Sequence, residues 1–98
     1  MEIDRKLAEI KEVAKQVANE RSICSMVKSI YVGCDYFSKS PEDLQLFVCL
    51  DKRLEGIDKV SLELELQTNH LPYEIKLFTE KEFEESYYMG MSSLIWSI

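Results

Sequence analysis

Apolar side chains recur every three or four residues in the first segment of the chain, from residue 2 to about residue 20. Charged residues fill the other side of this repeat, and the apolar stripe is formed by Ile3, Leu7, Ile10, Val13, Ala14 and Val17. A spacing near 3.6 residues is that of an α-helix with one buried face. The segment is therefore predicted to be a helix packed on the core of its own domain, rather than a coiled coil, which needs more heptads.

Several later segments have the character of β-strands. Residues 26–33 are rich in β-branched and aromatic side chains and stop at a glycine, and residues 73–79 alternate between apolar and polar. Residues 43–50 end in an apolar run, which predicts a strand buried on both faces. The short apolar tail at residues 92–98 could add a further strand.

The stretch from residue 51 to residue 70 is open to two interpretations. A strand is favoured by the strict alternation of Val60, Leu62, Leu64 and Leu66 with polar residues. A helix is favoured by the abundance of Glu, Leu, Lys and Gln, and by the possible shared helical face of Leu54, Ile57, Ser61 and Leu64. The pattern alone leaves residues 57–68 undecided.

A helix is predicted from residue 80 to about residue 88. Thr79 is the expected N-cap and Glu82 the third helical residue, which together make a capping box, and Gly90 is expected to end the helix. The elements add up to an α/β (α+β) fold in which a small mixed β-sheet is flanked by helices.

Composition limits the size and the class of the protein. The chain has 98 residues, of which 46% are hydrophobic and 31% charged, so a single domain over residues 1–98 with a real core is expected. Twelve basic residues against eighteen acidic ones give a net charge of −6. A surplus of acid repels phosphate groups, which disfavours broad binding of nucleic acid or of an anionic membrane.

The cysteines indicate a reducing compartment. Cys24, Cys34 and Cys49 are odd in number and show no CxxC spacing, and His70 is the single histidine. These features argue against zinc and favour reduced thiols that behave as small hydrophobic residues. No leader-like or membrane-spanning apolar run is seen, so a cytoplasmic protein is expected. His70 is expected to be exposed in a turn, which disfavours a nucleophile and base pair with Cys34.

Three short motifs follow one another along the chain: GC at 33–34, DLQLFV at 43–48 and LPYEIKL at 71–77. In this order they resemble the motifs of the minimal nucleotidyltransferases of the polymerase-β-like superfamily, which read G-S, then D-x-D-L-x-V, then L-P-x-x-V-D-L. The helix at 82–88, Gly90 and LIW at 94–96 resemble the family's closing segment. The resemblance implies a nucleotidyltransferase-like fold in which residues 57–68 form a helix.

The resemblance also implies a degenerate active site. In the family, clustered acids hold two divalent cations, which neutralise the triphosphate and activate the attacking hydroxyl group. Here Asp43 retains the first acid, Gln45 replaces the second, Lys76 replaces the third, and Cys34 replaces the serine that follows Gly33. An amide binds Mg²⁺ poorly and an ammonium repels it. No intact catalytic set is therefore expected, and Lys76 is expected to form a salt bridge with Asp43.

Two functions follow from the resemblance. The favoured one is a catalytically inactive protein that acts through a protein partner, as the antitoxin-like half of a two-protein module, with a small helical protein or a second copy as partner and no cofactor. The alternative is a divergent but active enzyme that uses Mg²⁺ and ATP to transfer a nucleoside monophosphate to a protein or small molecule. Gly33 and Cys34 would then contact the nucleotide and Asp43 the metal. An interface could use the residues Tyr87, Tyr88, Met89, Met91 and Trp96, which the last helix and strand could equally bury.

Overall fold

A four-stranded sheet with helices packed on both faces forms the protein, for which a computed structural model describes residues 2–33, 44–86 and 88–98. A short 3₁₀ turn, Met89–Met91, precedes the last strand. The elements in chain order are α1 (Glu2–Ala18), β1 (Val27–Gly33), β2 (Gln45–Leu50), α2 (Gly56–Asn69), β3 (Glu74–Thr79), α3 (Glu80–Glu84) and β4 (Ser92–Ser97).

The sheet has the order β3-β2-β1-β4 and is mixed. β1 pairs with β2 and with β4 in antiparallel fashion, whereas β2 and β3 are parallel. A parallel pair needs a long crossover connection, and α2 provides it. The predicted α/β fold with a small mixed sheet flanked by helices is confirmed, and so is the strand in the C-terminal tail.

The two faces of the sheet pack against different elements. One face carries the larger core, to which α1 contributes Ile10, Ala14 and Val17 and α2 contributes Leu66. The other face carries a smaller aromatic cluster of Phe47, Cys49 and Phe83, with Tyr31, Phe78 and Tyr88 packed around it. Both faces of β2 are thereby covered, as its apolar run predicted, and five of its six residues are buried.

The ambiguous segment is a helix, and its alternating pattern has a structural cause. Leu62 and Leu66 pack on the core, whereas Val60 and Leu64 are exposed. Residues two apart on an α-helix lie about 200° around its axis, so strict alternation places apolar side chains on opposite sides. The predicted shared face is present for Ile57, Ser61 and Leu64, all of which are exposed, but not for Leu54, which precedes α2 and packs on the core.

The helix α3 is shorter than predicted. Its capping box is present: the Thr79 hydroxyl accepts from the Glu82 N–H at 3.1 Å, and the Thr79 N–H donates to the Glu82 carboxylate at 2.9 Å. The helix ends at Glu84 and not near residue 88. The hydroxyl of Ser86 donates to the carbonyl of Phe83 at 2.7 Å, a local bond that competes with continuation of the helix. Gly90 consequently lies in the 3₁₀ turn rather than at the helix end.

The described cysteines differ in environment. Cys49 is buried, as expected of a thiol that behaves as a hydrophobic residue, but Cys24 is exposed, because it lies in the turn after α1. Cys34 lies outside the described residues. Within residues 2–33, 44–86 and 88–98, no helix is both long and apolar enough to cross a membrane.

Candidate functional site

The candidate site lies on the face of the sheet that carries the aromatic cluster. In the parallel register of β2 and β3, Gln45 is aligned with Glu74 and Phe47 with Lys76. Aligned residues of neighbouring strands point to the same face, and so do residues two apart on one strand. Gln45 and Lys76, which the sequence placed at the second and third acid positions, are thus brought to one face of adjacent strands.

Glu74 is a member of this site that the sequence analysis missed. The side-chain amide of Gln45 donates to Oε2 of Glu74 at 3.0 Å, and Nζ of Lys76 lies 4.0 Å from Oε1 of the same carboxylate. The signal was available, because Glu74 stands two residues before Lys76 in an alternating strand. The site therefore does contain a carboxylate, but this carboxylate lies two residues before Lys76, the position at which the resemblance implies an acid.

The ammonium group of Lys76 also lies 5.5 Å from the centre of the Tyr88 ring. A cation over an aromatic face is stabilised by the negative charge density of the ring. The expected salt bridge with Asp43 stays a prediction, since Asp43 lies outside the described residues. The Lys76 ammonium thus has a carboxylate neighbour, Glu74, and an aromatic neighbour, Tyr88.

Of the remaining predicted site residues, Gly33, Cys34 and Asp43, only Gly33 is among the described residues. Gly33 is the last residue of β1, where it pairs with Ser92 of β4. Cys34 and Asp43 fall between β1 and β2, in the part of the chain that is not described. Their roles as nucleotide-binding and metal-binding residues stay predictions.

The described part of the site does not fit a pair of divalent cations. Magnesium prefers carboxylate and other hard oxygen ligands. Here the Gln45 amide is bonded to the nearby Glu74 carboxylate, and the Lys76 ammonium lies on the same face. Over residues 2–33, 44–86 and 88–98, no group of three His, Cys, Asp or Glu side chains could hold a metal ion.

Aromatic rings cover the same face of the sheet beside Gln45, Glu74 and Lys76. The Phe47 ring lies 4.8 Å from that of Tyr88 and 5.7 Å from that of Phe83, measured between ring centres. Further along the same strand, burial raises the pKa of the Cys49 thiol, which keeps it protonated. Since the thiolate is the nucleophilic form, Cys49 is unsuited to covalent chemistry.

The outer edge of β3 is closed by side chains. The N–H of Ile75 donates to Oε1 of Gln67 at 3.2 Å, and the N–H of Leu77 donates to Oε2 of Glu63 at 2.9 Å. Glu63 is therefore not simply a solvated acid on the surface of α2. Its carboxylate accepts a backbone hydrogen bond that a neighbouring strand would otherwise accept.

A groove of about 460 Å³ runs along this edge, between α2 and the site. Val60 and Leu64 line it from the helix, and Lys76 and Tyr88 line it from the sheet. The groove thus connects the outer surface of α2 with the residues of the candidate site.

His70 does not contribute to the site. Its Nε2 lies 2.7 Å from Oε1 of Glu20, and its side chain is only 7% exposed. The predicted exposed histidine is wrong, because the turn after α2 packs against the end of α1. Glu20 is the described partner of this imidazole, and Cys34 lies outside the described residues.

Comparison with known proteins gives one structural likeness at low sequence identity. No protein-family model and no curated protein matches the chain. The structure is similar to one chain of the solved complex of the tri-AMPylated Shewanella oneidensis HEPN toxin with MNT antitoxin. The TM-score is 0.51 at 14% identity, over 97% of this chain and 72% of that chain. At this identity the likeness concerns the fold, which agrees with the nucleotidyltransferase-like architecture expected from the sequence.

Proposed function

We propose that this chain is the antitoxin-like half of a two-protein module and that it acts by binding its partner rather than by nucleotidyl transfer. The observation that carries the proposal is the hydrogen bond between Gln45 and Glu74, with Lys76 on the same face of the sheet. The resemblance of the motifs to the minimal nucleotidyltransferases assigns Gln45 and Lys76 to positions at which that family carries metal-binding acids, and this assignment supports the proposal.

The charges at this face of the sheet support the proposed loss of catalysis. Two metal ions with a bound triphosphate need several carboxylates that are free to coordinate them. The Glu74 carboxylate instead accepts from an amide and lies within 4.0 Å of an ammonium group. A divalent cation would have to displace both contacts and approach a fixed positive charge.

The choice of a toxin–antitoxin module is supported by the fold. The similar chain comes from a complex of a HEPN toxin with MNT antitoxin, and MNT denotes a minimal nucleotidyltransferase, the family that motifs in this sequence resemble. We accordingly propose a small helical protein as the partner and the cytoplasm as the place of action.

Two experiments test the proposal. In the first, the purified chain is incubated with α-labelled ATP and Mg²⁺ or Mn²⁺, alone and with the protein encoded by the adjacent reading frame, and no label transfer is expected. In the second, the two proteins are co-expressed, and a stable complex is expected by size-exclusion chromatography. Label transfer would contradict the loss of catalysis, and failure to form a complex would contradict the module.

One observation favours a second candidate, a divergent active nucleotidyltransferase. Glu74 supplies a carboxylate on the site face, so that Asp43 and Glu74 could share a cation if the Gln45 contact opened. In that case label transfer would occur, and it would be lost in Asp43→Ala and in Glu74→Gln. An exposed acid away from the site, Glu85, provides the control substitution Glu85→Gln, which would retain transfer.

A further inference from the structure

A second apolar stripe on α2 faces solvent. It consists of Ile57, Val60 and Leu64, which we call the outer stripe, and their exposed fractions are 79%, 53% and 57%. Spacings of three and four residues place the three side chains on one side of the helix. The opposite side of α2 faces the core, where Leu66 is fully buried and Leu62 packs against the same cluster.

The outer stripe has no role in the fold described above. A surface helix needs one apolar side, and a second one leaves hydrophobic area in contact with water, which is unfavourable. Contiguous exposed apolar surface with a polar rim is typical of an interaction site. Leu71, in the turn after α2, is a further large apolar side chain that is exposed, at 73%.

The groove beside the outer stripe favours a helix as the occupant. Val60 and Leu64 form one of its walls. A partner strand would need free N–H groups on the edge of β3, but those of Ile75 and Leu77 already donate to Gln67 and Glu63. Side chains projecting from a helix can enter the groove without using these backbone groups.

Charge decides what kind of helix fits. The groove side of the outer stripe carries both signs of charge, because Lys59 and Lys76 line the groove together with Glu63 and Glu74. On the other side of the stripe the helical wheel places Asp58 and Glu65, both exposed. Two copies of this chain that met through the stripe would bring these acids together. A helix with basic residues beside its apolar face would instead meet opposite charge.

We propose that the outer stripe and the adjoining groove bind an amphipathic helix of the partner protein. Its apolar residues would follow an i, i+3 or i+4, i+7 spacing, with lysine or arginine on the side that meets Asp58 and Glu65. The inference rests on the proposed function in that this helix belongs to the partner of the two-protein module.

A pair of model peptides tests the surface directly. Both are amphipathic helices with the same leucine face, one flanked by lysines and one by glutamates, and binding is followed on the isotope-labelled full chain by NMR. The lysine peptide should bind at least tenfold more tightly, with shifts in α2 and β3. Leu64→Glu should weaken binding at least tenfold. Leu94→Glu should not change it, because Leu94 lies on β4 away from the outer stripe; it is a matched control, since its exposed fraction of 53% is close to the 57% of Leu64.

Charge reversal provides the second arm. Asp58→Lys combined with Glu65→Lys should make the glutamate peptide the tighter ligand, because the apolar contact is kept and only the rim is changed. Equal binding of both peptides to all variants, or shifts confined to β4, would overturn the proposal. Self-association of the chain that Leu64→Glu abolishes would assign the stripe to a second copy and would also overturn it.

A binding experiment with the protein encoded by the adjacent reading frame separates this inference from the proposed function. If it forms a complex with the wild type and equally with Leu64→Glu, the module stands and the docking surface is wrong. If it forms no complex with the wild type, the module is wrong, and the peptide experiment decides the docking surface by itself.

Discussion

The carboxylate of Glu63 accepts the backbone N–H of Leu77 at 2.9 Å and so replaces a missing neighbour strand. Gln67 does the same for Ile75, and the two acceptors lie one helical turn apart, opposite donors that are two residues apart on β3. Four helical residues rise about 6 Å and two strand residues about 6.6 Å, so the two spacings match. α2 therefore stabilises the sheet edge through its polar side chains as well as through its core leucines.

Removing this acceptor should destabilise the protein. Glu63→Ala leaves the Leu77 N–H without its partner, and we expect a loss of about 1–2 kcal/mol in the free energy of unfolding, measured with urea. Glu63→Gln keeps an acceptor and should lose less. The control Glu65→Ala removes the same charge from an exposed position of α2 and should stay within about 0.5 kcal/mol. Equal losses in the two alanine variants would contradict the structural role of Glu63.

The helix α2 shows how far the sequence predicts the fold. Its apolar residues alternate because two stripes lie on opposite sides of a helix, a pattern that short segments share with strands. The family resemblance correctly favoured the helix. The roles of Glu63 and Gln67 could not be predicted, because they depend on which edge of the sheet the helix crosses, a feature of the tertiary structure.

The candidate site was predicted in part for a similar reason. The family resemblance assigned Gln45 and Lys76 to two positions of one site, and the structure has both on one face of the sheet. The contact of Glu74 with both depends on the register between β2 and β3, and register is set by packing over the whole sheet.

The stability of the protein should depend on the ionisation of Glu82. The hydrogen bond from the Thr79 N–H holds the pKa of this carboxyl below its ordinary value of 4.5. A group whose pKa is lowered by folding binds more protons in the unfolded state, so its contribution is present above pH 4.5 and is lost as the pH falls through the folded pKa. Glu82→Gln should therefore show a smaller loss of unfolding free energy than the wild type between pH 6 and pH 3, measured with urea.

A change of charge on the same helix serves as the control for this titration. Lys81→Gln alters the net charge by one, but lysine does not titrate in this range, so the acid dependence of the wild type should be retained. If the unfolding free energies of the wild type and Glu82→Gln fell in parallel with pH, the role of the capping box in the acid response would be contradicted.

The contact between His70 and Glu20 should couple the ends of α1 and α2. The two side chains meet at 2.7 Å, and the histidine is almost entirely buried. A double-mutant cycle with Glu20→Gln and His70→Gln should give an interaction energy of about 0.5–3 kcal/mol by urea unfolding. Additive effects of the two substitutions would show that each residue acts alone.

Restoring the missing acids should create a metal site. Gln45→Asp with Lys76→Asp removes the amide and the ammonium and places two carboxylates on the face where Glu74 already lies. We expect Mn²⁺ to bind the double variant at least tenfold more tightly than the wild type, a difference of about 1.4 kcal/mol, by calorimetry and by paramagnetic broadening of the signals of β2 and β3. Tighter binding should be lost when Asp43→Ala is added, if Asp43 is the remaining ligand that the sequence predicts.

A matched change of charge at exposed positions, Lys81→Asp with Gln16→Asp, should leave Mn²⁺ affinity near that of the wild type. Equal affinity of the wild type and the double variant would contradict the interpretation of Gln45 and Lys76 as lost ligand positions.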